Sequence, residues 1–388
     1  MGNGIQTAGN TAHSAVVRKV PISNRALLKE FVGLERKFIG ANPLFVSEID
    51  SDIVKRLGGQ SAFFSDIKHA LFIASDGSQD KARCAALINH RYQKAKDDEA
   101  LGFIGYFAAA PDAASEVRAM LYEAEAWLRE QNVSRIIVPH NGSCFLGFGL
   151  LTTAFEEEPM FPFGWHPPYY KEYLQNSGYH PTYPFWCYIV DFSSENYRIA
   201  AQRALRNKAV KVFPINKKDW DADLDTYGKL MNETLKEEWE VHPHTSEEFH
   251  ELFRPLKWVG DPRLLLMAEV KEGLAGFCWG MGDWNPIFRS FKGKMGPIQI
   301  FKSIFKAKVY DRAGLLGIGV LPEYRGTGVA QALAITLYKR FEERGLRKAF
   351  YYLVNESNTR SRRFAESIGG TGRVMYHCYD KTLINSCL

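Results

Sequence analysis

No apolar run in this 388-residue chain reaches the roughly 18 residues that cross a bilayer, and no leader of charged, apolar and small residues opens it. Both absences argue for a protein that stays in the cytoplasm. Cysteine is sparse as well. The six, Cys84, Cys144, Cys187, Cys278, Cys378 and Cys387, show no C-x-x-C spacing, which argues against a disulfide framework or zinc site and for reduced, structural thiols. His242 and His244 invite a metal reading, yet no third or fourth ligand has suitable local spacing, so no metal is expected. The opening Met1-Gly2-Asn3-Gly4-Ile5-Gln6 misses a myristoylation signal at Gln6, where Ser or Thr is wanted, and residues 1–14 read as a loose tail. Basic stretches occur without a nucleic-acid recognition motif, so nucleic acid is not an expected partner.

What is present suits two α/β units. At 388 residues the chain exceeds one typical domain, and 46% hydrophobic residues can fill two cores. The chain also repeats itself. Val16-Val17-Arg18-Lys19-Val20-Pro21-Ile22 has a counterpart in Val210-Lys211-Val212-Phe213-Pro214-Ile215, residues 69–90 parallel 262–283 as hairpins, and residues 172–191 parallel 363–380. The expected division is a first unit over 15–192 and a second over 193–388, joined near the D-F-S-S-E-N-Y stretch.

Residues 314–333 carry the most information. An apolar strand containing Ile318, Gly319 and Val320 runs through a Gly-rich turn into an apolar-periodic helix. Arg325, Gly326, Thr327, Gly328, Val329 and Ala330 spell R-x-x-G-x-A, which fits neither G-x-G-x-x-G nor the G-x-x-x-x-G-K-[ST] phosphate loop. Small residues there let backbone approach an anion, the helix start offers unpaired N–H groups, and Arg325 adds charge. The stretch reads as a pyrophosphate cradle. The first unit has no such motif: residues 101–112 lead into a helix at about 113–131 without it.

With its Val320-Leu321-Pro322-Glu323-Tyr324 lead-in, the cradle resembles the acetyl-CoA signature of the GNAT acyltransferase superfamily. A second landmark agrees. Asn358, Ser361, Phe364, Ile368 and Gly369 match that family's N-x-x-[AS]-x-x-[LF]-x-x-x-[LI]-G pattern. The resemblance implies a tandem GNAT-like α/β fold of mixed, mostly antiparallel sheets flanked by helices, acyl-CoA or acetyl-CoA as co-substrate, and an amine acceptor. It also implies that strands at 315–320 and 349–354 splay to admit pantetheine, with Asn358 positioning CoA and a backbone N–H near Gly319 or Val320 meeting the thioester oxygen. One departure matters: the family often has Tyr after the Phe of its pattern, to protonate the departing thiolate, and here Ala365 stands there. Tyr376 and Tyr379, on the final predicted strand, are the candidate substitutes.

Gly102-Phe103-Ile104-Gly105-Tyr106-Phe107, Pro139-His140-Asn141-Gly142-Ser143 and Pro167-Pro168-Tyr169-Tyr170 resemble the degenerate first domain of a group of bacterial tandem GNAT proteins. Some of that group look like bacterial ceramide synthases, which transfer a fatty acyl group to a sphingoid amine. The first unit is accordingly expected to be a scaffold or an acceptor-side wall.

Direct attack on a thioester requires a neutral amine, so a base must take its proton. Glu356, at the end of the predicted strand at 349–354, is the first candidate, with His242 or His244 as alternatives. Glu238, Trp239 and His244 cluster where the acceptor should lie. A further stretch, 284–310, carries Arg289, Lys292, Lys294, Lys302, Lys306 and Lys308 without an acid. Ile298, Ile300, Phe301, Ile304 and Phe305 form an apolar stripe there at helical spacing. It reads either as a helix packed on the body or as an interfacial or lid helix meeting anionic membrane or a long acyl chain. The expected activity is N-acylation of a primary amine, on a protein that is cytoplasmic or peripheral on the inner membrane face. A non-catalytic acyl-CoA sensor, an aminoacyl-tRNA-dependent transferase and an O-acyltransferase are the rivals.

Overall fold

The computed structural model describes residues 15–98, 100–296, 299, 301 and 309–383. In chain order the first half runs β1 (Val16–Val20), α1 (Arg25–Ile39), α2 (Asp50–Leu57), β2 (Ile67–Ser75), β3 (Asp80–Asn89), α3 (His90–Lys96), β4 (Leu101–Ala109), α4 (Ala114–Glu130), β5 (Arg135–Val138), β6 (Leu150–Leu151), α5 (Tyr169–Asn176) and β7 (His180–Asp191). The second runs α6 (Glu195–Arg206), β8 (Lys211–Pro214), α7 (Trp220–Leu235), α8 (Ser246–Phe253), α9 (Leu256–Val259), β9 (Leu265–Val270), β10 (Gly273–Gly282) and α10 (Asn285–Phe291). It ends with β11 (Ala313–Val320), α11 (Val329–Glu342), β12 (Lys348–Asn355), α12 (Thr359–Ser367) and β13 (Gly370–Thr382). This is the mixed, mostly antiparallel α/β architecture expected from the sequence.

The helices are where amphipathic spacing and end signals put them. In α4 the buried Val117, Met120, Leu121, Ala124 and Leu128 recur at i, i+3, i+4 and form one apolar face. In α12 Asn358 caps the start, its Oδ1 accepting from the amide of Ser361.

The thirteen strands among the described residues join one sheet, in the order β1-β2-β3-β4-β5-β13-β7-β12-β11-β10-β9-β8, with β6 on the side of β13. The halves exchange their last strands. β13, from the second half, pairs with β5 of the first, and β7, from the first half, pairs with β12 of the second. Because β13 also pairs with β7, the strand order crosses between the halves three times, at β5/β13, β13/β7 and β7/β12, and the halves share one hydrogen-bonded network.

Among the described residues each half contains one parallel pair, and each pair forks. β4 and β5 stay in register over Leu101↔Arg135, Gly102↔Ile136 and Phe103↔Ile137. β11 and β12 hold only Gly314↔Phe350 and Leu315↔Tyr351. The first fork is filled by its own chain. The amide of His140 donates to the Ile104 carbonyl at 2.9 Å, and Asn141 Oδ1 accepts from the amide of Tyr106 at 2.7 Å. Gly105 makes this possible, because a Cβ there would lie 2.5 Å from the His140 carbonyl oxygen. The Pro-His-Asn-Gly-Ser stretch thus occupies the gap in the first half, whereas the gap between β11 and β12 stays open.

Candidate active site

The open fork forms the wall of a cavity of about 890 Å³. Ile318, Gly319 and Val320 line one side, with Val354 and Asn355 on the other. Because β11 is bonded to β10 along one edge, its alternate backbone groups past Leu315 face the gap instead of a partner strand. Gly319 is dictated by packing from behind. A Cβ there would sit 2.1 Å from Thr234 Oγ1 on α7, so only glycine lets that helix lie against the strand.

The cradle stands at the cavity mouth. Gly326 and Gly328 have φ of 85° and 90°, a left-handed conformation that favours glycine. Gly328 is the residue before α11, whose start carries no side-chain cap, so the amides of its first turn are offered outward. Arg325, Gly326, Gly328 and Ala330 line the cavity, while Thr327 and Val329 do not; Val329 is buried under the helix. Arg325 is partly engaged by Glu237 at 3.2 Å, and Arg203, Arg360 and Arg363 add exposed positive charge around the mouth. Cations ringing an uncapped helix start suit a polyphosphate.

The inner end is built by both halves. Phe145, Phe148, Pro162 and Phe163 come from the first half, and Trp279, Leu316 and Leu353 from the second. The segment from Lys236 to His244 crosses this end and is held at several points. Lys96 Nζ, on α3, donates to the Lys236 carbonyl at 3.1 Å and to that of Glu238; Tyr92 Oη donates to the Trp239 carbonyl. Trp239 stacks on Tyr183 with ring centres 4.1 Å apart, and Asn232 brackets His244 through its carbonyl and amide at 2.8 and 2.9 Å. This clamp directs Glu238 and Glu240 at the cavity.

The structure separates the expected site residues into two groups. Glu238 and Asn358 line the cavity and bond to each other, Asn358 Nδ2 donating to Glu238 Oε1 at 2.6 Å. Glu356 is exposed and lies outside the lining, because the chain turns at the end of β12 and carries its side chain to solvent. Tyr376 and Tyr379 are buried on the far side of β7 and off the cavity, Tyr376 Oη donating to the Gly164 carbonyl. His242 and His244 are buried behind the cavity wall, beside Asn89 at 3.2 Å and Ser143 at 2.8 Å respectively. Burial drives the His242 imidazole down to about 3, and burial next to His242 drives His244 well below its usual value, so both are neutral and weak bases. Trp239 also lies outside the lining, as a packing residue of the clamp.

Two cavity residues escaped the sequence reading. Glu240 is only 9% exposed and faces the Asn355 side chain. Burial, then the nearby Glu238 carboxylate, raises its pKa to about 8. Cys144 lines the same end, and burial followed by Glu240's charge pushes its thiol up to about 12. The five described cysteines are all unpaired, and no three of the described His, Cys, Asp or Glu residues group as metal ligands. No helix among the described residues is long and apolar enough to cross a membrane.

In the basic stretch, α10 packs on the first half: Ile287, Phe288 and Phe291 bury against Ile49, and Arg289 pairs with Glu158 at 2.6 Å. Lys292, Lys294 and Phe301 are exposed. Ile298, Ile300, Ile304, Phe305, Lys302, Lys306 and Lys308 lie outside the described residues.

Residues 229–369 match the profile of the Acetyltransferase (GNAT) family. Over 94% of this chain and 97% of the relative, the sequence is 25% identical to a protein named bacterial ceramide synthase from Caulobacter vibrioides. It is 23% identical to Protein YghO of Escherichia coli over 93% of this chain and 94% of that one. Among solved structures, a tandem GNAT protein from the clavulanic acid biosynthesis pathway superposes with a TM-score of 0.55 and 11% identity, covering 96% of this chain and 99% of that one. Residues 229–369 thus form an acyltransferase domain of the GNAT family, set in a chain with the tandem GNAT fold.

Proposed function

We propose that the protein transfers an acyl group from acyl-CoA to a primary amine by direct attack in a ternary complex, and that the acceptor is a lipid amine such as a sphingoid base. The observation that carries the donor is the open fork between β11 and β12, with the uncapped start of α11 and its arginines at the mouth. Pantetheine would lie along the unpaired edges, with the pyrophosphate at residues 325–330. The filled fork of the first half supports a single donor site per chain.

Two features favour direct attack on a lipidic acceptor. Cys144, the cavity thiol, stays protonated at neutral pH and offers no thiolate for an acyl-enzyme. The inner wall is aromatic and aliphatic, built from Phe145, Phe148, Phe163, Leu316 and Leu353, which suits a long chain better than a small polar acceptor. The similarity to a protein named ceramide synthase points the same way. Exposed Lys292, Lys294 and Phe301 support peripheral contact with an anionic membrane. Mass spectrometry of products from a panel of acyl-CoAs and amines, including sphinganine, tests the reading. Long-chain amides are the expected products. Binding of acyl-CoA without turnover would leave a sensor, tRNA dependence would replace the donor, and hydroxylamine-sensitive products would mean O-acylation.

A further inference from the structure

The strand β11 contains three glycines, and they are not alike. Gly314 and Gly319 are fixed by packing, since a Cβ would lie 2.8 Å from Met160 Cε at the first and 2.1 Å from Thr234 Oγ1 at the second. At Gly317 a Cβ would meet nothing closer than the Phe277 ring at 3.6 Å and the Trp279 ring at 4.0 Å, both ordinary contacts. Its backbone is not left-handed either. The strand bulges beside it, Trp279 pairing with Gly317 and Gly280 with Leu315 so that Leu316 is the extra residue, but the bulge that demands glycine needs a positive φ. Neither packing nor strain explains a residue that weakens a strand interior, whereas Gly317 lines the cavity.

Its position is where a long donor must turn. With pyrophosphate at residues 325–330 and the thioester near Gly319, an acyl chain continues along β11 toward Leu315, where the fork closes on the Gly314↔Phe350 and Leu315↔Tyr351 pairs. The chain must therefore leave the plane of the sheet. One face is taken, because Leu315 and Tyr351 are buried in the core that contains Leu333 and Leu337 of α11. The other face is the one toward which a side chain at 317 would point, since Phe277 and Trp279 belong to the core under α7. On that face Leu316, Leu353, Phe145, Phe148 and Phe163 line the cavity and pack against the core of the first half.

We propose that Gly317 is the chain-length gate of the donor: its missing side chain lets the acyl group of a long-chain acyl-CoA bend out of the fork into this apolar compartment. A larger residue at 317 would hold the site to short acyl groups. The proposal rests on the acyl-CoA reading of the cavity and deepens it, assigning the part of the inner compartment beside Gly317 to the donor's chain.

The test measures calorimetric binding of acetyl-CoA and of lauroyl-CoA, the latter below its micellar concentration, to full-length wild type, Gly317→Ala and Gly317→Val. The kcat/KM of each donor is measured in parallel with sphinganine as acceptor. The preference for lauroyl-CoA over acetyl-CoA should fall from wild type to Gly317→Ala to Gly317→Val, by about tenfold or more in the last, in binding and in kcat/KM alike. Gly317→Ala should melt no lower than wild type, because its Cβ displaces nothing and alanine costs less than glycine in an extended strand. A Gly317→Val protein that folds and keeps the wild-type preference would overturn the gate, as would a Gly317→Ala protein that melts well below wild type, since the glycine would then be structural. An altered preference among amine chain lengths with acetyl-CoA as fixed donor, at an unchanged donor preference, would put the acceptor's chain there and overturn the assignment too. Binding that shifts as expected without any N-acyl product would leave the gate standing and sink the transferase reading. No binding of either thioester by wild type would sink the donor reading and the gate with it.

Discussion

Replacing Glu240 by Gln should make the protein's stability less sensitive to alkali, independently of any activity. The buried carboxyl titrates near 8, against an ordinary value of 4.5 in the unfolded chain, with burial as the main cause and Glu238 next. Between those values the native state keeps a proton that the unfolded chain has released, so the stabilisation is complete below pH 4.5 and is lost as pH rises through 8. Each unit is worth about 1.4 kcal/mol, so the whole window amounts to about 5 kcal/mol. With an unfolding entropy of about 2.1 cal/mol/K per residue, a cooperative chain of 388 residues converts this into a melting shift of about 6 °C. Glutamine keeps the shape and never ionises. The assay is a series of thermal or urea melts of both proteins from pH 5 to 8.5, plotted as the difference between them. Histidine titration is common to both and cancels, so the variant should gain on wild type steadily up to pH 8 and then level off. A difference that stays flat across the window would refute the claim that Glu240 is a desolvated carboxyl.

Other outcomes follow from the same geometry. Gly328→Glu should abolish CoA binding in calorimetry, since it puts a side chain at φ of 90° and negative charge at the start of α11, whereas wild type binds one CoA per chain. Glu356→Gln should change kcat less than about threefold, because the side chain is outside the cavity; a loss of 10² or more would restore it as the base. Gly105→Val should destabilise the fold by about 1–3 kcal/mol in urea melts by colliding with the His140 carbonyl inside the filled fork. Burial holds His140 near 3, below its unfolded value, so its stabilisation is present above pH 6.5 and lost as pH falls toward 3; His140→Phe should flatten that acid limb by about 1.4 kcal/mol per pH unit in melts.

The geometry of residues 314–333 was legible in the sequence because it is local. A strand, a turn with two left-handed glycines and a helix start are contiguous, so R-x-x-G-x-A at 325–330 carries its own geometry. The apolar-periodic helix expected after the turn occupies Val329–Glu342, and the strand expected at 349–354 occupies Lys348–Asn355. The inner end of the cavity was not legible. Glu240 owes its raised pKa first to burial, which tertiary packing from both halves creates, and then to Glu238, and no local pattern marks a buried carboxyl in sequence. Glu356 was the plausible base by its position after a strand, but one turn of backbone separates the Asn355 side chain inside from the Glu356 side chain outside. The strand exchange was also hidden, since the repeat at 172–191 and 363–380 records which segments correspond but not which sheet each joins.

That exchange bears on how such a protein can be dismantled and how it could diverge. A cut at 192/193 leaves one fragment with β7 but without the β12 it pairs with, and the other with β13 but without β5. Each fragment would expose a long bare strand edge, so neither half is an independent module, and the expected behaviour of the separated pieces is aggregation or mutual rescue. The fold itself thereby ties the two halves together. The first half can therefore lack the R-x-x-G-x-A stretch and fill its own fork while its strands remain indispensable to the sheet that holds the cavity of the second.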